Sequence, residues 1–292
     1  MSAVEIDAGW RAANPLPAPD GEATKNTRGR MLAVGGARRV PGALRLTAEA
    51  ALRVGAGKSR VATVPSVALM LGVLFPEAAT IGLGEDEAGE LVAEPAAPLF
   101  REIDRTDAVV VGPGMVDRQA AGRLVRRIAA EPREGVSLLL DAAACAAAGT
   151  LADELRGYQG RLVLTPHGGE MAELCDCAQA DVAGDPEGKA AETARRLGAV
   201  VACKGARTWV AAPDGRVARY AGGGIGLATG GSGDVLAGAI GGLLARGVPP
   251  FEATCWGVWL HGQAGRALAA SVGPVGFLAH ELLPVLPGLL PR

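Results

Sequence analysis

The sequence predicts an α/β protein with a mostly parallel central sheet covered by helices on both faces. Short apolar runs without polar alternation read as strands buried on both sides. Helical patterns alternate with them along the chain from Arg30 onward. Much of the abundant glycine, 43 residues, falls where strands turn into helices, as an α/β fold requires.

Met31 to Val34 is the first such strand and stops at Gly35-Gly36. Leu44 to Val54 is helical, with apolar residues at Leu44, Ala48, Ala51 and Leu52, and Gly55 and Gly57 end it. Arg60 to Val64 is the next strand. Ala108 to Val111 follows and runs into Gly112-Pro113-Gly114. Arg118 to Ala130 is an amphipathic helix. Leu138 to Leu140 ends at Asp141, Arg161 to Leu164 ends at Thr165-Pro166-His167, and Ala199 to Cys203 ends at Lys204-Gly205. Thr208 to Ala212 and Val217 to Tyr220, joined by Pro213-Asp214-Gly215, form a hairpin. Three helices close the chain: Ser232 to Arg246, Pro249 to Ala270 and Phe277 to Leu286. Residues 1–29, with Pro15, Pro17 and Pro19, read as an arm that packs on the body or on a neighbour, and 30–292 read as a single domain.

A net charge of −2 and the lack of a basic block remove the electrostatic drive toward nucleic acid or anionic membrane. No secretory signal or membrane-spanning run is evident, so a cytoplasmic protein is expected. Five scattered cysteines fit reduced thiols better than a disulfide framework. Cys175 and Cys177 have no second pair or nearby histidine to complete a zinc site, and no protein metal ligand is predicted.

In an open parallel sheet, ligands bind beyond the carboxyl ends of the strands. Gly112-Pro113-Gly114, Asp141, His167 and Lys204 each follow a strand and should gather on one edge. Thr229-Gly230-Gly231-Ser232-Gly233-Asp234 opens a helix. Its glycines let backbone N–H groups approach an anion, and the helix dipole adds positive potential there. Asp234, in the first turn, is placed to take a proton from an attacking hydroxyl. A helix merely capped by Ser232 or Asp234 explains the run equally well in isolation. It is not a Walker loop, because no Gly-Lys-Ser/Thr follows.

This run resembles the anion-hole signature of the ribokinase-like superfamily. Other motifs are similar to those of the NAD(P)H-hydrate dehydratases, in the family's order: Gly35-Gly36-Ala37-Arg38-Arg39-Val40-Pro41-Gly42-Ala43, Ala50 to Gly57, Val110 to Gly114, Leu164 to Met171, Lys204-Gly205-Ala206-Arg207-Thr208 and His261-Gly262-Gln263-Ala264-Gly265. Together they span roughly residues 30 to 285. The resemblance implies a three-layer α/β/α ribokinase-like fold. It also implies a hydro-lyase that dehydrates the S-form of NADH or NADPH hydrate, with ADP (ATP as the alternative) and Mg2+, releasing AMP and phosphate. Phosphorylating the ring hydroxyl exchanges a poor leaving group for a good one.

By position, the resemblance places Ala43, Gly114, His167 and Asp234 at the hydrate. It places Lys204, Gly205, Ala206, Arg207, Thr208, Gly231, Ser232 and Gly233 at the nucleotide, with Asp234 as base. His167 reads alternatively as a turn residue and Lys204 as a solvated strand end; Glu170 either acts beside the phosphates through a metal-bound water or is a first-turn helix acid. Arg38 and Arg39 face either cofactor phosphates or solvent. His261 reads as a hydrogen-bonded core or interface histidine, and His280 has no assigned role.

The family's second acid and asparagine after the Asp141 strand are missing from Asp141-Ala142-Ala143-Ala144-Cys145-Ala146. The metal or phosphate contacts made from that loop have no counterpart here. A kinase of a small alcohol or vitamin precursor shares the anion hole, and a nucleotide-binding protein without catalysis would explain the altered loop. Related proteins carry an additional epimerase domain. Only about 30 residues precede the first strand here, so epimerisation is expected from a separate polypeptide. The Gly/Ala-rich helical surface and the arm lead us to expect a homo-oligomer, up to a tetramer.

Overall fold

The structure is a computed structural model and describes residues 3–18, 21–94 and 96–291. Its ten strands are β1 (Val4–Glu5), β2 (Arg30–Val34), β3 (Lys58–Thr63), β4 (Ala78–Gly82), β5 (Ala108–Val111), β6 (Ser137–Leu140), β7 (Leu162–Leu164), β8 (Ala199–Cys203), β9 (Thr208–Ala211) and β10 (Val217–Tyr220). They form one sheet in the order β1-β10-β9-β8-β7-β6-β5-β2-β3-β4. All neighbours pair in parallel except β9, which runs against β8 and β10. The strands β5 and β8 are buried throughout, which explains why their sequences are continuous apolar runs.

From β2 the chain steps outward through β3 to β4. It then crosses back to β5 and proceeds the other way to β8. The pair β2–β5 is therefore the topological switch point, where the connections diverge and leave a crevice. The register brings the strand ends level: Val34 pairs with Val111, Val111 with Leu140, and Leu140 with Leu164. A further bridge, His167 to Lys204, carries the β7–β8 pairing beyond the strands. Every strand-end residue singled out above thus reaches one edge.

The helix Ser232–Ala245 lies against β5 and β2, between the helices Ala43–Arg53 and Pro250–Ser271. It is apolar around nearly its whole circumference because it is enclosed on each side. Backbone-to-backbone packing fixes its position. A Cβ on Gly238 would stand 2.1 Å from the Thr47 carbonyl oxygen, and one on Gly242 would stand 2.7 Å from Ala51 Cα. The two glycines are one turn apart on the face toward Ala43–Arg53.

The described part of the arm packs on its own chain. β1 adds to β10, the Trp256 indole donates to the Asn14 carbonyl at 2.7 Å, and Arg11 stacks 3.9 Å above Trp259. Pro19 lies outside the described residues. The predicted helix over Phe277 to Leu286 is instead two short ones, Ala279–Leu282 and Leu286–Leu289. Pro284 accounts for the break, since it has no N–H to give and crowds the preceding turn. The edge strand β4 and the helices Pro65–Leu74, Ala97–Ile103, Gly168–Cys175, Gln179–Gly184 and Pro186–Leu197 add to the elements predicted from sequence. No helix among the described residues is long and apolar enough to cross a membrane.

Candidate active site

Gly231 is the N-cap of Ser232–Ala245, with φ +87°, and no side chain caps that end. A left-handed residue here favours glycine. Ser232 N–H donates to Thr229 O at 3.3 Å and Val235 N–H to Gly231 O at 3.2 Å. Among the described residues, no hydrogen-bond partner takes the N–H groups of Gly231, Gly233 or Asp234. Free amides at the positive end of a 14-residue helix make an anion hole.

Asp234 stands within that first turn. Burial, then the negative charge of Asp141, raise its proton affinity, and the Lys204 ammonium opposes them; the pKa comes to about 7. A carboxylate with that value is matched to taking a proton near neutrality. Its backbone is tied to the neighbouring helix through Thr47, whose Oγ1 lies 3.1 Å from Asp234 O and 3.2 Å from Ala43 O. Thr47 thereby joins the predicted base to the start of the helix that carries Ala43.

Gly114 completes that side. A Cβ there would meet Ala43 Cβ and Val40 O at 2.9 Å each, and Gly36 Cα at 3.1 Å. The Gly36 N–H donates to Pro113 O at 2.8 Å, binding the loops after β2 and β5 across the switch point. Ala43, Gly114 and the Gly36 turn thus form a close-packed backbone floor beside Asp234.

Across the crevice, Lys204 is part of a charge network. Its Nζ lies 3.0 Å from Asp141 Oδ1 and 4.0 Å from Glu170 Oε2, and a Cβ on Gly233 would stand 3.6 Å from it. Burial works against the ammonium, yet Asp141 and Glu170 outweigh burial and raise its pKa. Asp141 is 3% exposed and also accepts from Thr165 Oγ1 at 2.6 Å. Glu170 is raised by burial, with Lys204 pulling against it and Asp141 adding to it. One ammonium thus serves three carboxylates, Asp141, Glu170 and Asp234. Burial and the negative charge of Asp141 raise the proton affinity of Glu170 and Asp234 against the pull of that ammonium. Sequence alone offered a solvated end or a phosphate contact for Lys204; its ion pairs replace the solvated end.

His167 is the N-cap of Gly168–Cys175. Its Nδ1 accepts from Gly169 N–H at 3.0 Å and Glu170 N–H at 3.3 Å, and Glu170 Oε2 accepts from His167 N–H at 2.8 Å. This reciprocal capping box gives both residues a structural job. The His167 side chain is nevertheless 61% exposed at the crevice edge. Gly205, Ala206 and Arg207 form the exposed turn after β8, and Thr208 begins β9. That turn borders a cleft of about 610 Å³ that Trp209, Gln179 and Pro186 also line.

Sequence reasoning gave His261 no part in the site. Its Nε2 lies 2.9 Å from Ser232 Oγ, inside the anion-hole run. Burial and then the Lys204 charge lower its pKa to about 4, so the imidazole is neutral. The spacing of 29 residues between helices hides this pairing from any local pattern. Arg38 donates to Glu85 Oε1 at 2.5 and 2.9 Å, and its side chain stays more than half exposed. Ala142, in the loop that lacks the expected polar residues, holds φ +50°, an uncommon conformation for a residue with a Cβ. Cys145, behind it, is fully buried, and burial pushes its thiol pKa well up. Among the described residues no group of three His, Cys, Asp or Glu side chains is arranged to hold a metal ion.

A mostly parallel sheet between helical layers, with a helix-start anion hole and an aspartate in its first turn, defines a ribokinase-like protein, and solved ribokinase-like structures share this architecture. Residues 31–287 match the family model of NAD(P)H-hydrate dehydratase, and the chain belongs to that family. It is 47% identical over 288 residues to the ADP-dependent (S)-NAD(P)H-hydrate dehydratase of Xanthomonas campestris pv. campestris, covering 98% of this chain and 96% of that one. It is 39% identical over 285 residues to the bifunctional NAD(P)H-hydrate repair enzyme of Moorella thermoacetica, covering 98% of this chain but 53% of the longer relative. The ADP/ATP-dependent NAD(P)H-hydrate dehydratase of Bacillus subtilis, co-crystallised with ATP/Mg2+, superimposes with a TM-score of 0.81 at 28% identity, covering 99% of this chain and 98% of that one.

Proposed function

We propose that this protein repairs nicotinamide cofactors by dehydrating the S-form of NADH or NADPH hydrate with ADP as phosphoryl donor. The observation that carries the reading is Asp234, a carboxylate with a pKa of about 7 set among the free amides of a helix start. Membership of the dehydratase family supplies the substrate class.

Asp234 takes the proton of the ring hydroxyl as its oxygen attacks the terminal phosphoryl group of ADP. The bond to AMP breaks and AMP leaves. The amides of Gly231, Gly233 and Asp234 receive the charge that grows on the outer phosphoryl oxygens. Phosphate then departs with the electrons of its C–O bond, the neighbouring carbon gives up a proton, and the ring double bond returns. Lys204 holds positive charge beside Gly233, while Gly205 to Thr208 border the nucleotide. The floor of Ala43 and Gly114 admits a flat ring and its phosphates at close range, with His167 at its edge.

Among the described residues the side chains form no cage for Mg2+: Asp141 Oδ1 is already engaged by Lys204 and Thr165. Magnesium carried on nucleotide phosphates keeps most of its waters and needs no such cage. When bound there, it neutralises phosphate charge.

Incubating the protein with (S)-NADPH hydrate, ADP and Mg2+ tests the reading. Recovery of the reduced-nicotinamide absorbance with one AMP and one phosphate per turnover is expected, and Asp234→Asn should abolish turnover while keeping nucleotide binding. Accumulation of a stable phosphorylated product would point to a kinase and refute the proposal. So would binding of ADP without turnover of any hydrate epimer. We further propose that the protein works in the cytoplasm.

A further inference from the structure

His261 and Ser232 form a hydrogen-bonded pair, 2.9 Å between Nε2 and Oγ, directly under the anion hole. A serine beside a neutral imidazole is the arrangement of an activated nucleophile. Burial argues against that role, because Ser232 is 4% exposed and faces the helix Pro250–Ser271 rather than the crevice. Its hydroxyl is turned away from the place where a phosphoryl group would sit.

The pair has a different consequence. Gly230, Gly231 and Gly233 surround Ser232 and contribute no side chain to hold the turn. No side chain caps the helix start. Ser232 is therefore the one side chain in the run Gly230 to Gly233, and its partner sits on another helix. That helix is itself held closely: a Cβ on Gly257 would stand 2.4 Å from Ile240 Cγ1, and one on Gly262 would stand 2.2 Å from Tyr220 Cε1. His261 lies one turn beyond Gly257 and beside Gly262, so the backbone that carries its ring is held at two close contacts.

From this geometry we infer that His261 is a positioning residue for phosphoryl transfer: through Ser232 it fixes the glycine turn so that the Gly231, Gly233 and Asp234 amides converge on one point. The inference rests on the reaction proposed above. Effective electrostatic stabilisation requires donors already aimed where charge develops, and a glycine turn without a tether loses that aim. The tether is neutral, and the cation beside it, Lys204, opposes a second positive charge at His261. The tether therefore persists across the pH range in which Asp234 ionises.

Four variants test this: His261→Ala, His261→Gln, Ser232→Ala and the double variant His261→Ala/Ser232→Ala. His261→Ala and Ser232→Ala should each lower kcat about tenfold or more, the loss expected when one hydrogen bond made useful only in the transition state disappears. KM for the hydrate should stay within about twofold. Gln reaches a similar distance with a donor and an acceptor, so His261→Gln should restore most of kcat. The double variant should be no worse than either single one, because both remove the same tether.

Unchanged kcat in Ser232→Ala would overturn the inference even if the histidine variants fail to fold. Multiplicative losses in the double variant, or a rise in KM with kcat unchanged, would overturn it too. Wild-type protein that does not turn over the hydrate would sink the proposed reaction instead. The pair would then be judged on ADP binding by calorimetry, where the same non-additive pattern is expected and additive losses would refute the tether.

Discussion

Asp234→Asn should stabilise the folded protein above neutral pH while removing its activity. The carboxyl moves from the ordinary 3.8 to about 7, chiefly through burial. That is roughly a thousandfold weaker acid, or ~4 kcal/mol at 1.36 kcal/mol for each factor of ten. Water entering the crevice screens the half-buried carboxylate and reduces the cost expressed in stability to about 2 kcal/mol. The sign follows from proton binding. Between pH ~4 and ~7 the folded state keeps a proton that the unfolded chain has released, so stability falls as pH rises through that window. Above it the penalty is complete. Asparagine carries no charge in either state and escapes the penalty. The Tm of the variant should exceed that of wild type by ~3 °C at pH 8. The difference should shrink steadily toward pH 4.5, measured by scanning calorimetry on both proteins in the same buffers. A difference independent of pH, or a wild type that is the more stable at pH 8, would refute the claim that Asp234 is a strained, buried base.

The remaining predictions address the network around that base. In wild-type protein kcat/KM should rise with pH along an acid limb centred near 7, where Asp234 loses its proton. Lys204→Met removes the cation that opposes the burial of Asp234, so the limb should move to higher pH; an unmoved midpoint in the pH profile would separate the two groups. Gly238→Ala places a methyl group 2.1 Å from the Thr47 carbonyl oxygen. It should cost about 1–3 kcal/mol or more by chemical denaturation, and a neutral result would mean the two helices can part without loss.

The sequence by itself determined the layered sheet, because strands buried on both faces must be continuous apolar runs and the connections between parallel strands must turn at their ends. It also determined that Asp141, His167, Lys204 and Gly114 share one edge, since each follows such a strand. The anion hole was legible too, as three glycines around a helix start with Asp234 in the first turn. Local patterns predicted no strand at Ala78–Gly82, where the run is short and only half-buried. They also extended the last helix through Pro284, whose effect outweighed the apolar spacing.

Only the tertiary structure decided the roles that depend on distant partners. His167 and Glu170 bind each other's backbone. Lys204 answers to three carboxylates drawn from separate segments. His261 reaches Ser232 across 29 residues because two helices approach at glycine. The pKa of Asp234 belongs in the same group. An aspartate in a first turn is written in the chain, but the burial and neighbouring charge that make it a base near pH 7 exist only once β6, β8 and the central helix have come together.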